Sequence, residues 1–496
     1  MPTRGEPAEP VGLFDGVFAR GAVDTGPRAW LAGMLSAEAA LARALERAGL
    51  APPGAGTAVT AAAGAADIDI ARLSQQAALP GNPVPALARQ LAALVPPEAA
   101  GAVHKGATSQ DIIDTAAMLL ARDALAVIAA SLAAAAGSAA RLAASHRGTV
   151  MIGRTLLQQA VPVTFGLLAA GWLTSLDEAA DGLRRVRERR LAIQFGGAAG
   201  TLASLGADGP RVAVLLAEEL GLAVPVLPWH TDRLRIVEIA AACAGAAAAL
   251  GKIARDVTLL AQTEIAEVRE GGGEGGDRGD GGDAGGRDGG DGRDAGGRDG
   301  RDGGDAGGGV RRGGSSAMPH KHNPVAAISV LACTRQVPGL TATLTASAEA
   351  ELQRAAGAWH AEWEPYSALL RLTGSAAAWG DELLSGLTVD AGKMAANLAA
   401  AGGLPLAERV SALLAPAMGQ AAAHDLVAEA SAHAAAHHAP LAEALLHLPG
   451  ISQRLEAAGV SPTQLDAALD PAGYLGAARE LTDAALAAHR ARVLGG

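Results

Sequence analysis

Apolar residues recur three and four apart over 28–50, RAWLAGMLSAEAALARALERAGL, and this spacing predicts a helix. A Pro/Gly/Ala stretch at 51–66 interrupts the pattern, which resumes over 81–94. Residues 111–145 read as one long helix with no Pro and only Gly137 inside it. At 1.5 Å per residue that helix is roughly 52 Å long, more than a compact domain needs. Further long helices are expected at 163–192, 231–268 and 325–353. All four are apolar over much of their circumference, too much for a thin monomeric bundle to bury. The pattern therefore predicts an all-α chain whose long helices pack against other subunits.

Composition sharpens this reading. Half of the residues are hydrophobic, yet Phe, Trp and Tyr are scarce, so Ala and Leu dominate the apolar content and favour closely packed helices over β-sandwiches. Two cysteines, Cys243 and Cys333, make neither a disulfide framework nor a zinc site, and no secretion signal opens the chain. A cytoplasmic location is the expectation. The uncharged run most like a membrane span, 155–176, contains Gln158, Gln159 and Pro162, which points to a buried helix and no membrane partner.

The net charge of −11 is uneven: residues 271–309 carry ten acidic residues against five Arg. That segment repeats GGD, GRD and DAGG and has no apolar side chain larger than Ala. It cannot offset its own ordering entropy and is expected to be a disordered insertion. A calcium-binding Gly/Asp roll needs a large aliphatic residue in each turn, and none is present. The remaining chain shows no basic face with interleaved aromatics, so no nucleic-acid partner is expected.

Candidate chemistry gathers just after the insertion, in RRGGSSAMPHKHNP at 311–324. Backbone amides of Gly313, Gly314, Ser315 and Ser316, and the start of a helix near Pro324, offer an anion-binding concavity. Lys321 adds a charge, Asn323 an amide that orients a carboxylate, and His320 a further anion contact. A serine in that field ionises more readily than a free hydroxyl and serves as a proton-transfer group. An ordinary Gly/Ser loop with an exposed Lys fits the composition equally well.

The complete string GSSAMPHKHNP closely resembles the signature G-S-S-x-M-P-x-K-x-N of the fumarase/aspartase (fumarate lyase) superfamily, with every fixed position met. The resemblance implies that Ser315 is the catalytic base and that Lys321 and Asn323 bind and polarise a substrate carboxylate. HKGATSQDIIDTA at 104–116 is similar to the superfamily's T-S-x-D segment, which implies that Thr108 and Ser109 bind carboxylate oxygens. Ser109 also suits a helix N-cap, with Asp111 favouring the dipole. GRTLLQQAVPVTFG at 153–166 resembles the second shared region, implying that Thr155 and Gln158 face the ligand. Polar residues lining a helix–helix seam account for that pair equally well.

The implied architecture is a three-domain all-α fold: an N-terminal helical domain at 1–100, a central long-helix bundle at 101–353 and a C-terminal helical domain at 354–496. Adenylosuccinate lyases are the near alternative, but they carry His in a G-R-T-H string where this chain has Leu156, and an R-H-D string where it reads GNPVPAL. What remains looks like the 3-carboxy-cis,cis-muconate cycloisomerase family, through FDGVFAR, PWHTDR, RAAGAWHAEW and LDPAGYLGAA. That resemblance implies lactonisation of a small polycarboxylate by a homotetramer, with no metal or organic cofactor. Another C–N lyase, or a tetrameric scaffold without turnover, are the other readings. Lys105 and His322 depart from the family, where Trp and Arg are usual, and each lies beside a proposed ligand residue.

Other residues compete less well. His104 and His230 lack a distinctive spacing and read as hydrogen-bonded structural histidines. His433, His437 and His438 share one helical neighbourhood without a Glu-containing zinc motif, so they read as solvent-exposed. Trp359 and Trp363, four apart, read as core or subunit-contact residues.

Overall fold

A computed structural model describes residues 12–271, 318, 321–457 and 459–495. The long elements are α1 (Pro27–Arg47), α2 (Ser109–Ser145), α3 (Phe165–Arg189), α4 (Leu234–Leu260), α5 (Val325–Thr334), α6 (Val337–Ala346) and α7 (Ala358–Ser385). Helix α2 packs on α3 and α7, α4 packs on α3, α5 and α7, and α6 packs on α7. Their apolar faces meet in one large core that includes Leu125, Leu132, Phe165, Trp172, Leu250 and Leu369. A second cluster holds Met34, Val59, Leu87, Leu91, Ile112 and Trp359, and a third runs from Val410 to Ala468. The C-terminal helix α8 (Ala478–Gly495) returns to the bundle, where Arg147 grips Asp483 and His489 meets Asp177 of α3.

The helical class stands, with two small antiparallel sheets added: β1 (Val150–Thr155) with β2 (Gln158–Thr164), and β3 (Val268–Glu270) with β4 (Leu387–Val389). The first corrects the helix expected over 155–176. Val150, Ile152, Val161 and Val163 are β-branched, and Pro162 cannot continue a helix, so the segment pairs as a hairpin and α3 begins only at Phe165. The helix expected over 325–353 is broken as well. Pro338 lacks the N–H that would bond back into α5, so α5 ends at Thr334 and α6 takes Pro338 in its first turn. The chain from 231 to 268 is helical only through Leu260, and the 51–66 interruption contains a helix of its own, Ala55–Ala65. The 271–309 insertion lies, apart from Gly271, outside the described residues.

By length and apolarity the segments that most resemble membrane spans are α2, α4 and Val325–Ala346, not 155–176. Only 56%, 50% and 33% of those apolar windows are buried within one chain. Inside the bundle α2 faces charged groups. Arg233 lies between Asp114 (2.7 and 3.1 Å) and Glu362 (2.9 and 2.5 Å), and Trp359 Nε1 donates to Asp114 Oδ1 at 3.0 Å. All three ionic side chains are 1–4% exposed. Arg233→Met would strand two buried carboxylates against each other. We expect a loss of about 3–5 kcal/mol, read as a fall in thermal unfolding midpoint, whereas a wild-type midpoint would mean the pair relaxes into solvent.

Candidate active site

Thr108 is the N-cap of α2, and Ser109 is its first helical residue, so the capping role expected at Ser109 moves one position back. The local sequence explains the geometry. Thr108 and Asp111 form a capping box, in which Thr108 N–H donates to Asp111 Oδ2 at 2.9 Å. Gly106 adopts φ +79° with Leu205 so close that a Cβ would clash, which lets the strip turn into the helix.

Asp111 is the hub beneath this strip. Its buried carboxylate also accepts from Gln194 Nε2 (3.1 Å), Gly196 N (3.0 Å), Gly197 N (2.9 Å) and His230 Nε2 (2.7 Å). His230 is thus a buried structural partner of Asp111. Five donors on one carboxylate fix the α2 start without leaving an uncompensated charge.

His104 sits four residues before Thr108, with φ +57°. Fully buried Glu38 spends both oxygens on it, accepting from His104 N at 2.9 Å and meeting Nδ1 at 2.6 Å. Burial opposes a charged imidazole, but the hydrogen bond and charge of Glu38 outweigh it and hold the His104 pKa above its ordinary value. A raised folded-state pKa contributes stability that is complete below the unfolded value near 6.5 and is lost as pH rises through the folded value. The gap in thermal midpoint between wild type and His104→Gln should therefore shrink on going from mildly acidic to alkaline buffer; a gap constant with pH would contradict the charge assignment.

One residue at this end escaped sequence reasoning. Arg354 Nη1 donates to Thr108 Oγ1 at 2.8 Å, and its guanidinium lies 5.8 Å from the Trp359 ring centroid. The string RAAGAWHAEW carries both, but nothing in its spacing announces that the Arg reaches α2. Thr108, Ser109 and Arg354 together present hydroxyl and guanidinium donors at a helix N-terminus, a setting suited to a carboxylate. Lys105 points elsewhere: its Nζ donates to Leu50 O at 2.6 Å.

The other predicted residues lie at the far end of the bundle. The β1–β2 hairpin follows the C-terminal end of α2, whose 37 residues span about 55 Å. Thr155 and Gln158 pair with each other at the hairpin tip and are exposed, so they line no helix seam. Between them Leu156 and Leu157 take φ +51° and +63° and are 96% and 69% exposed. Leucine in this left-handed turn is strained, by roughly 1–2 kcal/mol per residue. Arg154, next to Thr155, is bound at both nitrogens by Glu267, at 2.9 and 2.7 Å.

Lys321, His322 and Asn323 precede α5 on this same side. Lys321 and His322 are exposed and Asn323 is half-buried. The helix start expected to bind an anion is already occupied: Glu270 accepts from Ala326 N at 3.0 Å and Ala327 N at 2.8 Å. Ser315 and His320 lie outside the described residues. One chain therefore sets Lys321, Asn323, Thr155 and Gln158 at one end of the bundle and Thr108 and Ser109 at the other. Among the described residues no group of three or more His, Cys, Asp or Glu side chains is arranged to hold a metal.

Known proteins resemble this chain over nearly its whole length. Residues 28–271 match the family described as Lyase, and residues 403–485 match adenylosuccinate lyase C-terminus. A nitrosuccinate lyase from Streptomyces davaonensis is 43% identical over 92% of this chain and 90% of its own. A 3-carboxy-cis,cis-muconate cycloisomerase from Bradyrhizobium diazoefficiens is 42% identical over 92% of this chain and 93% of its own. The crystal structure of the 3-carboxy-cis,cis-muconate lactonizing enzyme from Pseudomonas putida superposes with a TM-score of 0.81 at 38% identity, covering 97% of this chain and 99% of that one. Shared fold, shared sequence over nearly the whole length and the signature string place the chain in the fumarase/aspartase lyase superfamily.

Proposed function

We propose that the protein is a 3-carboxy-cis,cis-muconate cycloisomerase, lactonising 3-carboxymuconate to a carboxymuconolactone during breakdown of aromatic compounds. The observation that carries this reading is the hairpin tip. Where amine-eliminating relatives place a histidine, the tip that bears Thr155 and Gln158 presents Leu156 and Leu157. A carboxylate that adds to, or leaves from, a carbon needs no general acid, whereas an amine leaving group does.

In the forward direction one substrate carboxylate oxygen forms a C–O bond to a double-bond carbon. The displaced electron pair moves to the carbon beside another carboxylate, giving an enolate-like dianion. Lys321 and Asn323 stabilise that charge, and Ser315 delivers the proton that completes the lactone. Thr108, Ser109, Thr155 and Gln158 hold the carboxylate oxygens, with His320 assisting. No step calls for a metal or an organic cofactor.

The described parts of these blocks sit at opposite ends of a helix about 55 Å long, which supports a site built from more than one copy of the chain. We take the assembly to be a homotetramer in the cytoplasm. The half-exposed apolar helices and the strained, exposed leucines support it, since both would be buried between subunits.

One other reading has a specific observation behind it: the nitrosuccinate lyase relative, as similar as the cycloisomerases. Nitrite, like a carboxylate, departs without protonation, so Leu156 fits both. The assay is direct. Purified protein should consume 3-carboxymuconate by ultraviolet absorbance; nitrite release from nitrosuccinate with no consumption of 3-carboxymuconate would transfer the assignment to the C–N lyase.

A further inference from the structure

The short segment that ends at Glu270 grips both blocks at the hairpin end of the bundle. Glu267 is fully buried and both its oxygens take the Arg154 guanidinium, while Asn397 Nδ2 adds a bond to Oε1 at 2.9 Å. That fixes β1 immediately before Thr155. Three residues on, Glu270 accepts from the amides of Ala326 and Ala327, in the first turn of α5 and just beyond Asn323. The strip between the two carboxylates is itself pinned. β3 pairs with β4, Asp390 N–H donates to Glu267 O at 3.0 Å, and Gly271 N–H donates to Gly386 O at 2.7 Å.

A helix start has backbone N–H groups without intrahelical partners, and a carboxylate there forms charge-assisted bonds reinforced by the helix dipole. Glu270 therefore does two things. It sets the position and direction of the backbone that carries Lys321 and Asn323, relative to the backbone that carries Thr155 and Gln158. It also fills the helix start with an internal carboxylate, so a polyanionic substrate is denied a competing, unproductive seat.

We propose that Glu270, braced through Glu267, is a positioning residue that fixes the start of α5, and with it Lys321 and Asn323, for turnover. The proposal rests on the reading of Lys321 and Asn323 as substrate ligands. Misplacement by about 1 Å is enough to cost on the order of 100-fold in rate, which sets the scale of the effect.

The test compares wild type, Glu270→Ala and Glu270→Gln as full-length protein, with 3-carboxymuconate and nitrosuccinate as substrates. Glu270→Ala should lose about 10- to 100-fold in kcat with KM changed less than about threefold, at an unchanged assembly mass. Glu270→Gln keeps one acceptor oxygen and should recover most of the rate. Wild-type kcat in the Ala variant overturns the proposal, as does a loss that Gln fails to rescue and that tracks a fall in thermal midpoint.

Hydrogen exchange separates this from the reaction assignment. Amides of Ala326 and Ala327 should exchange at least about tenfold faster in Glu270→Ala, because they lose their acceptor. Unchanged exchange overturns the proposal whichever substrate is used. Wild-type protein that turns over neither substrate overturns the proposed reaction instead, and the exchange result then decides the positioning role alone.

Discussion

Ser315→Ala should lower turnover by about three orders of magnitude, within the range that a positioned proton-transfer group contributes. The substitution removes a single hydroxyl oxygen from a stretch of Gly and Ser. Secondary structure, assembly mass and thermal midpoint should match wild type. Substrate affinity should hold as well, since Lys321, Asn323, Thr108 and Ser109 remain to bind the carboxylates. The expected signature is thus a collapse in kcat with KM little altered, the pattern of an interaction made only in the transition state. A variant that keeps near-normal turnover would move proton transfer to another group. His104 would be next, because Glu38 holds it in place and raises its pKa.

Mixing two inactive variants should restore activity. Thr108→Ala damages the start of α2 and Ser315→Ala the block that precedes α5 in sequence; α2 alone separates Thr108 by about 55 Å from the end of the bundle that holds Lys321 and Asn323. If each site draws the two blocks from different copies, hybrids of the variants contain some sites in which both residues are intact. Co-refolding or co-expression should recover a minor but measurable share of wild-type turnover, and light scattering should give a tetramer. No recovery in demonstrated hybrids, or a monomer at working concentration, would refute a composite site.

How much of this was legible in the sequence varies by element. The long helices were, because long runs rich in Ala and Leu and free of Pro underlie α2, α3 and α4. The β1–β2 hairpin was not. Its tip is Leu156–Leu157 where a turn signal would be Asn–Gly, so the usual punctuation is missing. The break after Thr334 could have been read from Pro338, yet the chain is apolar on both sides of it and masks the interruption.

At the site, the signature string was legible because its residues are fixed in type and spacing. Asp111 was legible only as an acid at the start of a helix, and Glu267, Glu270 and Arg354 were not legible, because their partners lie far away in sequence. Glu270 meets Ala326 56 positions away and Arg354 meets Thr108 246 positions away. A single acidic or basic residue carries no local mark of such a partner. The packing of α5 on α4 and α7, and of α7 on α2, brings these pairs together.

The clasp between Glu270 and the first turn of α5 also bears on how this gene can change. The backbone enters and leaves the region after residue 271 through two points already held together by hydrogen bonds. Chain added between them does not pull the bundle apart, and each doubling of its length costs only about 0.6 kcal/mol in closure entropy. Codon-repeat expansion or contraction there is thus nearly invisible to selection on folding. The Gly/Asp/Arg repeat of 271–309 sits at the spot where replication slippage would be tolerated. Sister lineages should differ widely in the length of this tract while Glu270 and the residues opening α5 stay fixed. The same spot is a natural port for grafting a reporter or affinity tag into the enzyme.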